Sequence, residues 1–311
     1  MRVVVVGLGV QGEKRRRVAG ADVVATVDPE PSRRADYASL EDVPTNRYDA
    51  ALLCVPDGPK VALLSYLAAR GKHALVEKPL WAGDDGDFDR LDAASRASGA
   101  VIYTAYNHRF EPHVARMRAL LVSGALGRIY RCRLFYGNGT ARLVRGSEWR
   151  DRGGGVVPDL CSHMLDTVRF WFGDVGGTWS VWSADCFENR SPDHAVIGCA
   201  DGAIRVELEA TLLMWRNHFT CDILAENGSA HILSLCKWGP STFIRRTRIL
   251  PSGRPVEETD IVPEGDPTWA LEYAHFKALV RSGARSDLSN DRWLNGLLRR
   301  LGADAARAAA P

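Results

Sequence analysis

The chain has 311 residues, of which 46% are hydrophobic and 25% charged, and its formal net charge at pH 7 is +2. The length suggests about two domains of roughly 150 residues each, the near-neutral charge argues against nucleic acid as a partner, and no apolar run reaches the roughly 18–20 residues of a membrane span. Seven scattered cysteines without a C-x-x-C pair argue against a zinc ribbon or a disulfide framework and predict a reducing, cytoplasmic location.

Short apolar runs alternate with amphipathic segments over residues 1–110. The first run, in MRVVVVGLG, follows a single arginine and predicts a buried strand rather than a signal peptide. Strands that read as continuous Val, Ile and Leu runs indicate a parallel sheet buried on both faces. The predicted strands are 2–7, 22–27, 49–55, 73–77 and 101–105, and the predicted helices are 10–18, 59–70 and 84–98.

The second part of the chain has a different pattern. Consecutive strands joined by short turns, such as ENGS and PSGR, are typical of an antiparallel sheet. The sequence therefore predicts an α/β fold, with an N-terminal Rossmann parallel sheet in domain 1–112 and a large, mostly antiparallel open sheet in an α/β domain at 113–311. The later predicted elements are a helix at 111–123, a strand within 124–137, helices at 156–172 and 267–282, and strands over most of 178–262.

A glycine-rich turn joins the first predicted strand to the first helix. In G-x-G-x-x-G the first glycine permits a tight turn, the second lets the backbone approach a diphosphate, and the third lets the helix pack closely. Asp28 follows Gly7 by 21 residues, the spacing expected of a carboxylate that binds the adenosine ribose hydroxyls. No arginine directly follows Asp28, which favours NAD over NADP, although Arg33 and Arg34 lie nearby. The motif residues predicted to bind the dinucleotide are Gly7, Gly9, Val10, Gln11 and Gly12.

The turn Glu77-Lys78-Pro79 places a lysine at the end of a predicted buried strand. Burial there would disfavour the charged form of the lysine, and proline restricts the backbone that carries it. An ordinary surface lysine is the alternative interpretation, because most lysines are exposed.

A predicted helix at 156–172 carries a second set of polar residues. Asp159, His163 and Asp166 are spaced i, i+4 and i+7, which predicts that they share one helix face. A carboxylate beside an imidazole raises its basicity and fixes its tautomer, as a general base requires. Asp166 is expected either to hold the histidine or to pair with Arg169. A solvated polar stripe is the structural alternative, and nothing else in the sequence completes a metal site around these residues.

Four motifs in order resemble the Gfo/Idh/MocA oxidoreductases, named after glucose–fructose oxidoreductase and inositol dehydrogenase. The resemblance covers nearly the whole length of the chain and implies a Rossmann domain followed by an α/β domain on a large, mostly antiparallel sheet. It also implies hydride transfer between NAD and the carbinol carbon of a secondary alcohol on a sugar. The motifs are GLGVQG at 7–12, EKP at 77–79, NHRF at 107–110 and GGGVVPDLCSHMLD at 153–166.

The resemblance implies roles for single residues. Lys78 becomes the catalytic lysine beside the nicotinamide, and Glu77 supports the cofactor side. Asp159 and His163 become the catalytic carboxylate and histidine, as in inositol-dehydrogenase-like members. Either His163 or Lys78 is then the proton acceptor.

Two further family segments are matched less completely. Many members carry Pro-x-x-x-His after the third strand, which implies a cofactor contact for Pro56, but Lys60 stands in the place of that histidine. The NHRF segment supplies two substrate-binding candidates, with an ion pair to Glu77 or Glu111 as the structural alternative for the arginine: Asn107 and Arg109.

A basic loop at 136–152 precedes the helix that carries His163. Arginine forks suit phosphates, and tryptophan offers a flat surface for a sugar or base. Arg150 and Trp149 are therefore predicted to bind substrate together with Lys78, Asp159 and His163. Solvent-exposed arginines are the alternative for the loop, whose other arginines are Arg142, Arg145 and Arg152.

The sequence predicts an NAD-dependent dehydrogenase or reductase that acts on a secondary alcohol of a sugar carrying phosphate or a nucleotide. A free cyclitol or aldose dehydrogenase and a non-catalytic sugar or dinucleotide sensor remain alternatives. The presence of Lys78, Asp159 and His163 together counts against the sensor. Finally, five tryptophans in or near 178–262 suggest an apolar sheet face, which predicts a homodimer or homotetramer.

Overall fold

A computed structural model describes residues 1–148 and 150–310. The chain forms two compact units, each assembled from two segments. Unit 1 consists of Met1–Asn107 and Thr268–Asn295, and unit 2 consists of His108–Pro267 and Gly296–Pro311.

These units differ from the predicted continuous division into 1–112 and 113–311. The segment after residue 267 returns to unit 1, where Tyr273 and Phe276 are buried against the first sheet. Their aromatic side chains remove a large apolar area from water, so the returning helix completes the first core.

The predicted helices are present with small shifts at their ends. No helix within the described ranges has the length and hydropathy that crossing a membrane requires. In chain order the α-helices are α1 (Val10–Ala19), α2 (Lys60–Ala68), α3 (Asp85–Ser98), α4 (Pro112–Val122), α5 (Ala141–Arg145), α6 (Ser162–Phe172), α7 (Thr268–Ser282) and α8 (Ser289–Ala308).

Unit 1 contains the predicted parallel Rossmann sheet. Its five strands lie in the order β2-β1-β3-β4-β5, and every neighbouring pair is parallel. The carboxyl ends of parallel strands lie along one edge of a sheet, which is where ligands of such folds bind. The strands are β1 (Val3–Val6), β2 (Val23–Val27), β3 (Ala50–Leu53), β4 (His73–Glu77) and β5 (Ile102–Ala105).

Helices cover both faces of this sheet, which explains the continuous apolar runs. Val4 and Val6 of β1 share one core with Leu64 of α2 and Phe88 of α3. Val3 and Val5 lie in the core on the opposite side, which includes Phe276 of α7. Helix α7 also contacts α1, so the returning segment shields the helix that follows the glycine turn.

Unit 2 contains the predicted large open sheet. Its eight strands lie in the order β13-β12-β11-β10-β6-β9-β8-β7. All neighbours are antiparallel except β6 and β9, which pair in parallel. The strands are β6 (Ile129–Gly137), β7 (Trp179–Asp185), β8 (His194–Cys199), β9 (Arg205–Thr211), β10 (His218–Ala225), β11 (Gly228–Leu233), β12 (Ser241–Thr247) and β13 (Val256–Val262).

The two faces of the large sheet differ in polarity. On the covered face α4 contacts β11 and β12, and inward residues such as Leu134 and Leu208 are fully buried. Ion pairs cross the other face, including one between Arg131 and Glu207 at 2.6 Å and others that involve Arg133–Glu209 and Arg246–Glu257.

The tryptophans do not form the continuous apolar face that the sequence suggested. Trp171 and Trp179 are buried within unit 2, whereas Trp182 is partly exposed and Trp215 fully exposed. Assembly of copies through this sheet stays a prediction, and it would have to match the ion pairs as well as the apolar positions.

Candidate active site

The glycine turn after β1 has the geometry that the motif predicts. Gly7 has φ +88°, and a Cβ there would lie 2.5 Å from the carbonyl oxygen of Cys54. A Cβ on Gly12 would lie 1.8 Å from the carbonyl oxygen of Gly7. A Cβ on Gly9, in contrast, would meet nothing within 4 Å. Gly7 and Gly12 therefore pack the turn, while Gly9 leaves open space at the start of α1.

Asp28 lies at the mouth of this turn. Its Oδ2 accepts a hydrogen bond of 2.7 Å from the backbone N–H of Leu8, and its Oδ1 accepts one of 2.9 Å from that of Glu30. The carboxylate is thus fixed at the end of β2 beside the glycine turn. Open space at Gly9, a helix N-terminus that favours negative charge and this carboxylate together fit a dinucleotide. Val10 and Gln11 are exposed at the same helix start.

The turn that carries Lys78 follows β4, two strands from β1 in the sheet order. Lys78 itself is half-buried. Its neighbour Glu77 accepts a hydrogen bond of 2.7 Å from Nε of Arg15, and the carbonyl oxygen of Pro79 accepts one of 2.8 Å from Nζ of Lys60. Lys60, which stands in the place of the family histidine, thus binds the turn that carries Lys78. Pro56 is exposed in the loop between β3 and α2.

His163, near the start of α6, belongs to a histidine stack in unit 2. Its ring lies on that of His108, with centroids 4.1 Å apart and an interplanar angle of 18°. The ring of Tyr136 lies 5.6 Å from His108 and 6.1 Å from His163. Nζ of Lys237 lies 2.9 Å from Nε2 of His108 and 4.5 Å from the ring of Trp238. We call these five residues the histidine cluster.

Burial and nearby charges shift the pKa values of two groups around the cluster. Burial raises the pKa of the Tyr136 phenol, and the Asp159 and Glu111 carboxylates raise it further. Burial also raises the pKa of Glu111, although a hydrogen bond from Cys236 and the charge of Lys237 oppose this effect. Oε2 of Glu111 accepts hydrogen bonds from the N–H and Sγ of Cys236.

Asp159 and Asp166 do not continue the simple helix face that their spacing predicted. Residues Val157–Cys161 form a π-helical turn, so α-helical spacing does not apply to Asp159, whose Oδ2 accepts a hydrogen bond of 3.3 Å from Arg150. Asp166 is buried and accepts a bidentate pair from Arg109, with Nε to Oδ2 at 2.9 Å. The sequence had not suggested this pair for either residue.

The remaining predicted contacts have varied surroundings. Asn107 is buried and donates a hydrogen bond of 3.0 Å to Thr268 within unit 1. Arg145 donates to the Glu188 carbonyl at 2.8 Å, and Arg142 lies 3.7 Å from the same residue's carboxylate. Trp149 lies outside the described residues. Across residues 1–148 and 150–310, no group of three or more His, Cys, Asp or Glu is placed to hold a metal ion.

Sequence reasoning missed four members of the histidine cluster. His108 lies between the two residues chosen from NHRF, and its partner Lys237 is 129 residues away. One compositional signal was available for Lys237, since the chain contains only six lysines against 34 arginines. Lysine and arginine are not interchangeable, so a lysine in a chain this poor in lysine is a candidate functional residue.

The glycine turn, Asp28 and the parallel sheet define an NAD-binding Rossmann protein. Residues 1–106 match the family model described as an oxidoreductase family with an NAD-binding Rossmann fold. Residues 114–231 match the model of the GFO/IDH/MocA C-terminal domain. The chain belongs to the Gfo/Idh/MocA family of oxidoreductases.

Named relatives share parts of the chain. Inositol 2-dehydrogenase 4 of Saccharopolyspora erythraea is 24% identical over 258 residues, which are 75% of this chain and 73% of that protein. A putative UDP-kanosamine synthase oxidoreductase subunit of Amycolatopsis mediterranei is 30% identical over 61% of this chain and 57% of its own length. The solved structure of levoglucosan dehydrogenase in complex with NADH shares the fold, with a TM-score of 0.82, 18% identity and coverage of 99% of this chain and 98% of that one.

Proposed function

We propose that the protein is an NAD-dependent dehydrogenase or reductase of a secondary alcohol or ketone on a sugar that carries a nucleotide or phosphate. The observation that carries the proposal is the shared sheet edge of unit 1. Because β1, β2 and β4 are parallel, the glycine turn, Asp28 and Lys78 all follow carboxyl ends of strands in one sheet. This arrangement supports a role for Lys78 beside a dinucleotide bound at that edge.

When bound, NAD supplies the hydride acceptor for oxidation of the carbinol carbon. We assign Lys78 to donating a hydrogen bond to the oxygen that reacts, which would stabilise its developing negative charge. We assign His163 to accepting the hydroxyl proton. The stack of His108 on His163 holds the imidazole in one orientation, and we assign Asp159 to supporting it from the preceding turn.

The substrate class is inferred from charge and from relatives. Lys237 belongs to the histidine cluster and Arg150 donates a hydrogen bond to Asp159, both within unit 2. Cations of this kind suit a phosphate or diphosphate. The relative from Amycolatopsis mediterranei bears a name that refers to UDP-kanosamine. The inositol dehydrogenase relative favours a free cyclitol as the second candidate.

A substrate screen with NAD distinguishes these possibilities. The panel should contain UDP-linked sugars, sugar phosphates, free aldoses and inositols, with NADH absorbance as the readout. We expect turnover of at least one nucleotide- or phosphate-linked sugar and slower turnover of its free sugar. Faster turnover of free inositols would favour the second candidate, and NAD binding without turnover of any compound would favour a sensor.

NAD(H) should bind more tightly than NADP(H), by about tenfold or more. The reason is Asp28, because a carboxylate fixed at the end of β2 accepts ribose hydroxyls and repels a 2′-phosphate. Titration of both cofactors measures the two affinities, and Asp28→Ser should reduce the ratio between the affinities for NAD(H) and NADP(H). A clear preference for NADP(H) would contradict it and implicate Arg33 or Arg34.

Lys237→Met should move the acidic limb of the pH–rate profile to higher pH. A nearby positive charge disfavours protonation of an imidazole. Because the Lys237 ammonium lies beside His108, which stacks on His163, we expect its removal to let His163 become protonated, and so inactive as a base, at higher pH.

Other charged groups of unit 2 are Glu111, whose pKa burial raises and the charge of Lys237 lowers, and the ion pairs Asp159–Arg150 and Asp166–Arg109. Lys237→Arg keeps the charge and should leave the limb in place. An unchanged limb in Lys237→Met would show that Lys237 does not tune the base.

A further inference from the structure

We propose that Lys60 and Arg15 are positioning residues that hold the Lys78 turn from its two sides. The inference rests on the proposed function, because it treats Lys78 as the catalytic lysine. Arg15 binds Glu77, the residue before Lys78, and Lys60 binds Pro79, the residue after it. Lys78 is thereby held between two fixed points.

Lys60 binds the turn on the proline side. It is the first residue of α2, and its side chain is only 2% exposed. Its Nζ donates hydrogen bonds of 2.8 Å to Oδ1 of Asp57 and to the carbonyl oxygen of Pro79. Burial of an ammonium group costs free energy unless acceptors surround it. The contacts to Asp57 and to the Pro79 carbonyl offset this cost, and they fix the turn to Lys60.

Arg15 binds the turn on the glutamate side. It lies in α1, one turn after the glycine motif, and is 1% exposed. Nε donates to Glu77 at 2.7 Å and Nη2 donates to Glu272 of α7 at 2.6 Å. The guanidinium also lies over the ring of Trp269, 4.2 Å from its centroid. Helix α7 therefore supports the Lys78 turn through Arg15.

The geometry explains why a lysine replaces the family histidine at position 60. A lysine side chain is long enough to reach from the start of α2 to the carbonyl of Pro79. A misplacement of about 1 Å in a catalytic group can lower the rate by about 100-fold. Fixing both neighbours of Lys78 restricts the region that its ammonium can reach.

Lys60→Met is the principal test, with Lys72→Met as the matched control. Lys72 also donates to a backbone carbonyl in unit 1, that of Tyr48 at 2.8 Å, but this contact lies away from the turn. Asp57→Asn is a milder second variant, since it weakens the hold on Lys60 while keeping the buried amine.

Two measurements separate positioning from stability. The first is turnover with the KM for NAD and for sugar determined separately. The second is the rate at which an amine reagent modifies Lys78 in the cofactor-free protein, followed by peptide mass spectrometry. The second readout needs no turnover, so it tests the proposal even if the proposed reaction is wrong.

For Lys60→Met we expect kcat to fall about tenfold or more with little change in either KM, and the modification rate of Lys78 to rise severalfold. Asp57→Asn should change kcat and the modification rate in the same directions but by smaller factors. Lys72→Met should leave both quantities unchanged. If the Lys60→Met variant had the kcat and the Lys78 modification rate of the unchanged protein, the proposal would be overturned. Equal changes in Lys60→Met and Lys72→Met, in proportion to lost thermal stability, would also overturn it.

Discussion

Replacing Lys78 or His163 with alanine should lower turnover by at least about two orders of magnitude while NAD binding persists. Lys78 supplies a hydrogen-bond donor and positive charge to the reacting oxygen, and removal of such a donor typically costs about 10²–10³ in turnover. Removal of a positioned base costs about 10²–10⁴. NAD binding should persist because the glycine turn and Asp28 keep their own contacts.

The pH profiles of these variants identify the proton acceptor. If His163 is the base, His163→Ala should abolish the acidic limb of the rate profile, while Lys78→Ala should keep the limb at a lower plateau. If the limb remains in His163→Ala, the titrating group is not His163 and Lys78 becomes the better candidate.

Matched substitutions elsewhere guard against general damage. His194, on β8, contacts Phe187 and lies outside the histidine cluster, so His194→Ala should retain turnover close to that of the unchanged protein. Turnover of Lys78→Ala and His163→Ala within about fivefold of the unchanged protein would refute both assignments, since each effect expected is far larger.

Local features of unit 1 could be predicted from the sequence because they depend on residues close together in the chain. Valine runs specify buried parallel strands, and glycine spacing specifies the turn after β1. The strand His73–Glu77 has the predicted bounds. The return of α7 could not be predicted in this way, because a helix pattern shows that a face is buried but not against which sheet.

Long-range contacts also decided the composition of the candidate site. His108 meets His163 and Lys237 only after the large sheet brings α4, α6 and the segment after β11 together. Asp159 lies in the π-helical turn at Val157–Cys161, so its position differs from the one that α-helical spacing predicted. No sequence pattern in this segment predicts a π-helix. Motif spacing thus located His163, whereas its partners required the tertiary structure.

Gly9→Ala should weaken NAD binding by about tenfold or more without lowering thermal stability. Gly9 has φ −69° and ψ −170°, which any residue adopts, and its added methyl group would meet no protein atom within 4 Å. The methyl group would instead occupy the space through which a diphosphate approaches the start of α1. Equilibrium titration of NAD and a melting curve measure the two properties.

Gly12→Ala and Gly296→Ala complete the comparison. A Cβ on Gly12 would lie 1.8 Å from the carbonyl oxygen of Gly7, so this variant should lose both NAD binding and stability, the latter by about 1–3 kcal/mol or more. Gly296 lies in α8 with open space around its Cβ, so alanine there should raise stability by about 1 kcal/mol and leave NAD binding unchanged. Undiminished NAD affinity in Gly9→Ala would show that the diphosphate does not pass over this glycine, and the open space beside α1 would then need another occupant.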